Sequence, residues 1–343
     1  MKNCSNPFSK IEINDGGKCV FCCPSFLVDN YSIGNIFEQD FDDIWYGEKA
    51  IEFRKSILDK TYKYCKLNLC PSLKDENFSY DDYLRPPYPE HVVLSYLRAC
   101  NVRCLTCRDD LLYESKENTE YFNRFIDNIT KVCKRCKSVY LNGAGELFVS
   151  KHLKKLVNEI VKVNPDVKFN LASNGLLFDE VHLKEFNLLN RVSSVYISIH
   201  AATKKTYKKI VRGGNWDVLQ KNLAYISKMK KEGKLDYVSC NFVVHSLNYK
   251  EMPKFVKMVE SFGIIPTFWR FRNWGPISDM NENYEKYTVW EKDHKDYKKF
   301  LKVFKKLKGM DTEIIWLDPL FQSLYNKARK TWLDKVIKKF KFN

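Results

Sequence analysis

Three cysteines, Cys100, Cys104 and Cys107, fall within eight residues of the stretch YLRACNVRCLTCRDD, directly after an apolar run. An odd set of thiols cannot be used up pairwise in disulfides, whereas thiolates at this spacing suit a metal. A structural zinc site wants four protein ligands, so these three would need a distant His or Cys to complete it. A [4Fe–4S] cluster held by three cysteines leaves one iron open to a further ligand. The open cluster is the first expectation and the zinc knuckle the alternative.

Nine of the twelve cysteines precede residue 108. In a reducing compartment such a density reads as metal or cluster ligation. Cys4, Cys22, Cys65 and Cys70 are candidates for a second four-thiolate site, iron–sulfur or zinc, with Cys19 and Cys23 left over. Cys22 and Cys23 are neighbours, so spacing alone leaves open which of them binds. Cys133 and Cys136 form a CxxC before an expected strand and are read as unligated surface thiols. Cys240, alternating within a strand, is read as core, as are Trp45 and Phe53.

The elements that must position these groups follow from periodicity. From residue 90 onward, short runs rich in β-branched and aromatic residues alternate with segments of helical spacing, the pattern of repeated βα units. Strands are expected near 92–97, 138–142, 167–171, 194–199, 237–244 and 265–271. One helix between them gathers Leu153, Leu156, Val157 and Ile160 on a face; another gathers Met252, Phe255, Val256 and Val259, with Gly263 placed to end it. Six such units are too few for an eight-stranded barrel and predict an α/β fold, a partial (β/α)6 TIM-type barrel. The cysteine loop leaves the first of these strands at its C-terminal end, where such folds gather their sites. Residues 1–85 read as a small cysteine-rich module with one amphipathic helix around 42–58, joined through the proline-rich 84–90 to a core over 86–280. Residues 281–343 read as a basic helical extension, whose last segment, 328–343, is expected to pack as a terminal helix.

Composition bounds the function. A hydrophobic content of 44% supports a real core, and no window holds the ~20 apolar residues of a membrane-spanning helix. The N-terminal ten residues lack an apolar signal stretch, so a cytoplasmic location is expected. The net charge of +16 comes mostly from scattered lysines, which can draw an anionic partner from a distance. No nucleic-acid motif accompanies them, so nucleic acid is not expected as a partner. In FWRFRN, alternation puts Arg270 and Arg272 on one face, and an apolar opposite face packed on helices would turn both into the barrel, suited to a carboxylate or phosphate. His200 and His245 stand near strand ends and could trade a proton with substrate. All four are candidate catalytic residues, with salt-bridged or hydrogen-bonded wall residues as the alternative.

The cysteine loop resembles the cluster motif of the radical S-adenosylmethionine (SAM) superfamily, and LNGAGELFVSKHL resembles that family's Gly-Gly-Glu motif. The resemblance covers roughly residues 90–275. It implies that Gly143 and Gly145 let backbone approach the methionine part of SAM, that Glu146 accepts from its amino group, and that Ser173, Asn174 and Ser198 are polar contacts to it. Three departures stand out: Thr106 where relatives place an aromatic residue, Gly-Ala-Gly-Glu for Gly-Gly-Glu, and His200 where relatives often carry Asp. The N-terminal segment resembles the SPASM or Twitch auxiliary-cluster module, here preceding the barrel instead of following it, and its glycine spacing favours Cys22.

The resemblance implies two cofactors, a SAM-binding [4Fe–4S] cluster and SAM itself, with an auxiliary [4Fe–4S] cluster beside them. It implies reductive cleavage of SAM to a 5′-deoxyadenosyl radical that abstracts hydrogen from a small polar metabolite or sugar, with an electron donor such as flavodoxin or ferredoxin as partner. A peptide or protein maturase is the alternative. From another class, an iron–sulfur or zinc scaffold binding nucleic acid would not require Gly143, Gly145 and Glu146 beside a three-cysteine loop.

Overall fold

The computed structural model describes residues 4–67, 70, 85–114, 119–143, 145–273, 275, 278–310 and 316–326. The expected terminal helix at 328–343 lies outside the described residues. In chain order the strands are β1 (Lys10–Asn14), β2 (Lys18–Val20), β3 (Gly34–Asn35), β4 (His91–Leu97), β5 (Arg103–Cys104), β6 (Ser138–Gly143), β7 (Lys168–Ser173), β8 (Val192–Ser198), β9 (Val211–Arg212), β10 (Tyr237–Val244), β11 (Ile265–Arg270) and β12 (Trp316–Leu317). All six expected strands are present, to within two residues. The chain forms two compact units, one of Met1–Cys100, Leu112–Ala172 and Glu180–Ser194, the other of Asn101–Leu111, Ser173–Asp179 and Val195–Asn343.

In the first unit the strand order is β7-β6-β4-β1-β2-β3. β7, β6, β4 and β1 run parallel, with Glu12, Val93, Tyr140 and Asn170 in register across all four. Partners in register share a face of a sheet. One face carries Ile11, Ile13, Val92, Leu94, Val139, Leu141, Phe169 and Leu171, all buried. Tyr96 of the same face meets Phe125 of helix Thr119–Cys133 edge-on at 5.0 Å. That is the helix-covered side. The other face carries Lys10, Glu12 and Asn14 of β1, His91 and Ser95 of β4, Tyr140 and Asn142 of β6, and Asn170 of β7. The cysteine-rich segment thus contributes a strand to the same sheet as β4.

The helix expected around 42–58 is two, Phe41–Trp45 and Glu48–Leu58. The break has a partner: the Trp45 carbonyl accepts from Arg54 Nη1 at 2.7 Å instead of continuing a ladder. Cys133 and Cys136 are buried, contrary to their reading as surface thiols. Phe122, Phe125, Ile126, Ile129 and Val132 form the buried stripe of their helix, and Cys133 extends it by one position. Asn164 Nδ2 then ties down the turn, donating to the Cys133 and Cys136 carbonyls at 2.8 and 2.9 Å.

In the second unit the order is β12-β11-β10-β8, with β10, β11 and β12 parallel, and β5 pairs antiparallel with β9. Phe242 and Phe268 meet Phe255 of helix Met252–Glu260 at 4.8 and 5.7 Å, which fixes the helix-covered face. Cys240 lies on that face and is buried. Opposite it lie Asn241 and Thr267, joined by a hydrogen bond of 2.5 Å. Among the described residues no helix is long and apolar enough to cross a membrane.

Candidate metal centres and cofactor site

Cys4, Cys22, Cys65 and Cys70 line one small pocket of the first unit together with Pro7, Phe21, Phe26 and Phe53. Short elements bring them there. Cys22 follows β2, and Cys65 makes a lone antiparallel bridge to Leu27. Burial raises the Cys4, Cys22 and Cys65 thiols, Cys65 to about 12, and each is raised further by others of the four. A bound cation would reverse that balance, since a coordinating thiol is deprotonated. Among the described residues no three His, Cys, Asp or Glu side chains are gathered tightly enough to grip one ion; the four thiols border a space. Cys23 does not line it, and its Sγ donates to Ser25 Oγ. Cys19 is buried elsewhere, its Sγ on the Gly17 carbonyl.

Cys100 closes the first long segment of the first unit, its N–H donating to the Leu112 carbonyl at 3.0 Å. The glycine motif is built against that point. A Cβ on Gly145 would lie 2.5 Å from the Ala99 carbonyl, and one on Gly143, whose φ is +140°, 2.8 Å from the Leu97 carbonyl. Only glycine permits this approach. The Glu146 N–H then donates to the Ala99 carbonyl at 2.8 Å. Glu146 is fully buried. Cys100, Gly143, Gly145 and Glu146 are therefore brought together.

Cys104 and Cys107 belong to the second unit. Cys104 ends β5 opposite Val211, and its carbonyl accepts from the N–H groups of Cys107 and Arg108 at 2.9 and 3.0 Å. Arg108 Nε and Nη2 both reach Cys107 Sγ at 3.4 Å, a contact that favours a thiolate or cluster sulfur. Arg212 braces the turn from β9, donating to the Arg108 carbonyl at 2.7 Å and pairing with Asp109 at 2.9 Å. Asn174 Nδ2 donates to Asn101 Oδ1 at 2.7 Å, which ties the 173–175 turn to the residue after Cys100. Ser173 Oγ accepts from Gly175 N–H at 3.0 Å. Ser198 ends β8 and is half-buried. Thr106 is buried.

His200 and His245 are buried, and both are held uncharged. Burial lowers His200 to about 4; burial, then His200 and Lys209, lower His245 to about 3. His200 Nδ1 accepts from Val243 N–H at 3.1 Å and His245 Nδ1 from Leu247 N–H at 3.2 Å, so each ring carries its proton on Nε2. His245 Nε2–H has no hydrogen-bond partner among the described residues. Near neutral pH these rings are therefore uncharged hydrogen-bond donors.

Arg270 differs from the inward-facing expectation, and both arginines meet the salt-bridged alternative. Trp269 is in register with Val243 and Arg270 with Val244, so Trp269 shares the face of Asn241 and Thr267, and Arg270 shares that of Phe268. Arg270 Nε pairs with fully buried Asp318 at 2.7 Å, and Arg272 lies 3.9 Å from the same carboxylate. Sequence reasoning missed Arg108 and Asp318. Adjacency to Cys107 could have flagged the first; nothing local marks the second.

Fold and site together define an α/β protein with a three-cysteine loop at a strand end and a separate four-cysteine pocket. Residues 94–259 match the model of the radical SAM superfamily, and residues 4–71 match that of an iron–sulfur cluster-binding domain, SPASM. The chain belongs to the radical SAM superfamily and carries an N-terminal SPASM domain, so its cofactors are SAM, a [4Fe–4S] cluster and auxiliary iron–sulfur. Probable GTP 3′,8-cyclases of Saccharolobus islandicus strains Y.N.15.51 and L.S.2.15 are each 27% identical over 190 residues, 54% of this chain and 56% of theirs. The chain thus matches little more than half the length of these relatives. Among solved structures, native anSMEcpe with bound AdoMet is similar over 66% of this chain and 64% of that one, at 18% identity and a TM-score of 0.45. Methylornithine synthase is similar over 64% and 61%, at 12% identity and a TM-score of 0.42.

Proposed function

We propose that this protein is a radical SAM enzyme that abstracts hydrogen from a small polar, polyhydroxylated metabolite or sugar. Cys100, Cys104 and Cys107 would hold the SAM-binding cluster, and Cys4, Cys22, Cys65 and Cys70 the auxiliary one. Gly143 and Gly145 would admit SAM to close backbone approach, Glu146 would accept from its amino group, and Ser173, Asn174 and Ser198 would complete its polar contacts. When bound, cluster and SAM supply the one-electron cleavage and the hydrogen-abstracting species. The domain organisation proposed is a cluster module over 1–85, a core over 86–280 and an extension over 281–343, which the matches to 4–71 and 94–259 support. A flavodoxin- or ferredoxin-like donor in the cytoplasm is proposed as electron source, with the +16 charge supporting attraction of an acidic carrier.

The observation that carries the substrate class is the face of β1, β4, β6 and β7 opposite the one that meets helix Thr119–Cys133. Around the buried Val93 it carries Glu12, Asn14, Ser95, Tyr140, Asn142 and Asn170, hydrogen-bonding groups that an apolar substrate would leave unpaired. Glu12 is buried beside Lys10 at 3.6 Å, and burial raises its carboxyl above the usual range against the pull of Lys10 and Ser95. Asn14 Nδ2 is buried without a hydrogen-bond partner among the described residues. An acceptor and an orphan donor two residues apart on one strand suit neighbouring hydroxyl or amino substituents.

The test is anaerobic 5′-deoxyadenosine formation by reconstituted enzyme with dithionite, SAM and one of three probes. These are myo-inositol with D-glucosamine, GTP (the substrate in the name of the probable cyclases), and a cysteine-containing peptide. Stimulation by the polyol or amino sugar, reduced at least tenfold in kcat/KM by Glu12→Gln, is the expected result. Stimulation by GTP or peptide alone, unaltered by Glu12→Gln, would overturn the substrate class.

A further inference from the structure

Arg54, in helix Glu48–Leu58, is fully buried, yet among the described residues no carboxylate pairs with it. Its Nε donates to the Pro7 carbonyl at 2.9 Å and its Nη1 to the Trp45 carbonyl at 2.7 Å. Its guanidinium carbon lies 4.4 Å from the Trp45 ring and 5.1 Å from the Phe21 ring. Nη2 is buried with no hydrogen-bond partner among the described residues. Two carbonyls and two ring faces orient the group but carry no opposite charge, and a buried charge ordinarily requires one. The desolvation is felt by the group itself, which is lowered to about 10.

The missing anion has a place. Pro7 and Phe21, the residues that hold the guanidinium, also line the pocket of Cys4, Cys22, Cys65 and Cys70, as does Phe53, its neighbour in the chain. We propose that Arg54 is the built-in counter-charge of the group held by those four thiolates and raises its reduction potential. This rests on the reading that the four cysteines hold an iron–sulfur cluster. A tetrathiolate cluster is anionic and gains one further negative charge when one electron reduces it, so a fixed cation in a low-dielectric wall favours the reduced state. Arg54 touches the cluster only through the pocket wall, so it is a positioning residue whose signature is a potential. In the enzyme, its consequence is an auxiliary centre able to accept an electron from the substrate side.

The measurement is an EPR-monitored redox titration of the full chain carrying Cys100→Ala, Cys104→Ala and Cys107→Ala, which leaves one cluster to report. Arg54→Met should lower the midpoint so that the reduced-to-oxidised ratio at a fixed poise falls at least tenfold, 59 mV for one electron. Arg54→Lys should recover most of that ratio. Should the methionine variant fail to fold, Arg54→Gln, which keeps donors without charge, carries the same expectation. A cluster whose midpoint is the same with Arg, Met or Gln at 54 overturns the inference and leaves the four-cysteine reading standing. A triple-alanine background that holds zinc or no iron overturns both.

Discussion

Glu146 combines a fully buried carboxylate with a backbone N–H pinned to the Ala99 carbonyl beside Cys100. A carboxylate so placed strongly prefers a cationic partner such as the SAM amino group. Loss of a charge-assisted hydrogen bond costs about 1.5–3 kcal/mol, so Glu146→Gln should weaken SAM binding by roughly tenfold to a hundredfold. Equilibrium dialysis of reconstituted protein against labelled SAM measures this, and an unchanged Kd would assign the amino group to another acceptor. His200 and His245 make a second prediction at this scale. Both are held neutral, at about 4 and about 3, whereas an imidazole in the unfolded chain titrates near 6.5. As pH falls below that value the unfolded chain takes up two protons that the folded protein refuses, so stability falls with pH. The slope approaches about 1.4 kcal/mol per pH unit for each ring until the folded values are reached. Urea midpoints between pH 7 and 4.5 should therefore drop for the parent and drop less for His200→Gln with His245→Gln. Parallel profiles would mean that the two rings do not govern acid lability.

At the scale of elements, the ion pair beyond β11 shows what a local reading can reach. Strand positions were legible because apolar residues alternate or run together between turn residues, a signal carried by each segment alone. The alternation of Arg270 and Arg272 was legible as well. Which way that face points was not, because the deciding group, Asp318, lies far downstream, after β12. The burial of Cys133 and Cys136 was hidden for the same kind of reason, since the clamp is Asn164, from the end of the next helix. Asp318 is fully buried, accepts from Leu320 N–H at 3.0 Å and depends on Arg270 for opposite charge. Arg270→Met strands that carboxylate and should cost about 3 kcal/mol. Arg272 stands 3.9 Å away and is half-buried, so Arg272→Met should cost under about 1 kcal/mol. Urea unfolding of the two variants separates them, and equal losses would show that Arg270 is not the principal partner.

At the scale of the whole molecule, two sets of thiols are laid out so differently that their iron should be separable. Cys104 and Cys107 sit on a turn stiffened by Arg108 and Arg212, while Cys4, Cys22, Cys65 and Cys70 line an aromatic pocket among short elements. The motif spacing alone singles out the first set as cluster candidates. For the second, the glycine spacing already favours Cys22, and the fold adds that Cys22 lines the pocket whereas Cys23 bonds Ser25. Two complete clusters correspond to roughly eight irons per chain. Anaerobic reconstitution followed by iron and sulfide analysis should approach that figure, and replacing Cys100, Cys104 and Cys107 together by Ala should remove about half. Cys22→Ala should remove the other half, because three thiolates of this pocket would leave a corner of the cluster without its thiolate among Phe21, Phe26 and Phe53. Cys23→Ala should retain the full complement, since its sulfur does not face the pocket. Equal iron in the Cys22 and Cys23 variants would reverse this assignment, and a triple-alanine protein with undiminished iron would remove the three-cysteine loop as a cluster site altogether.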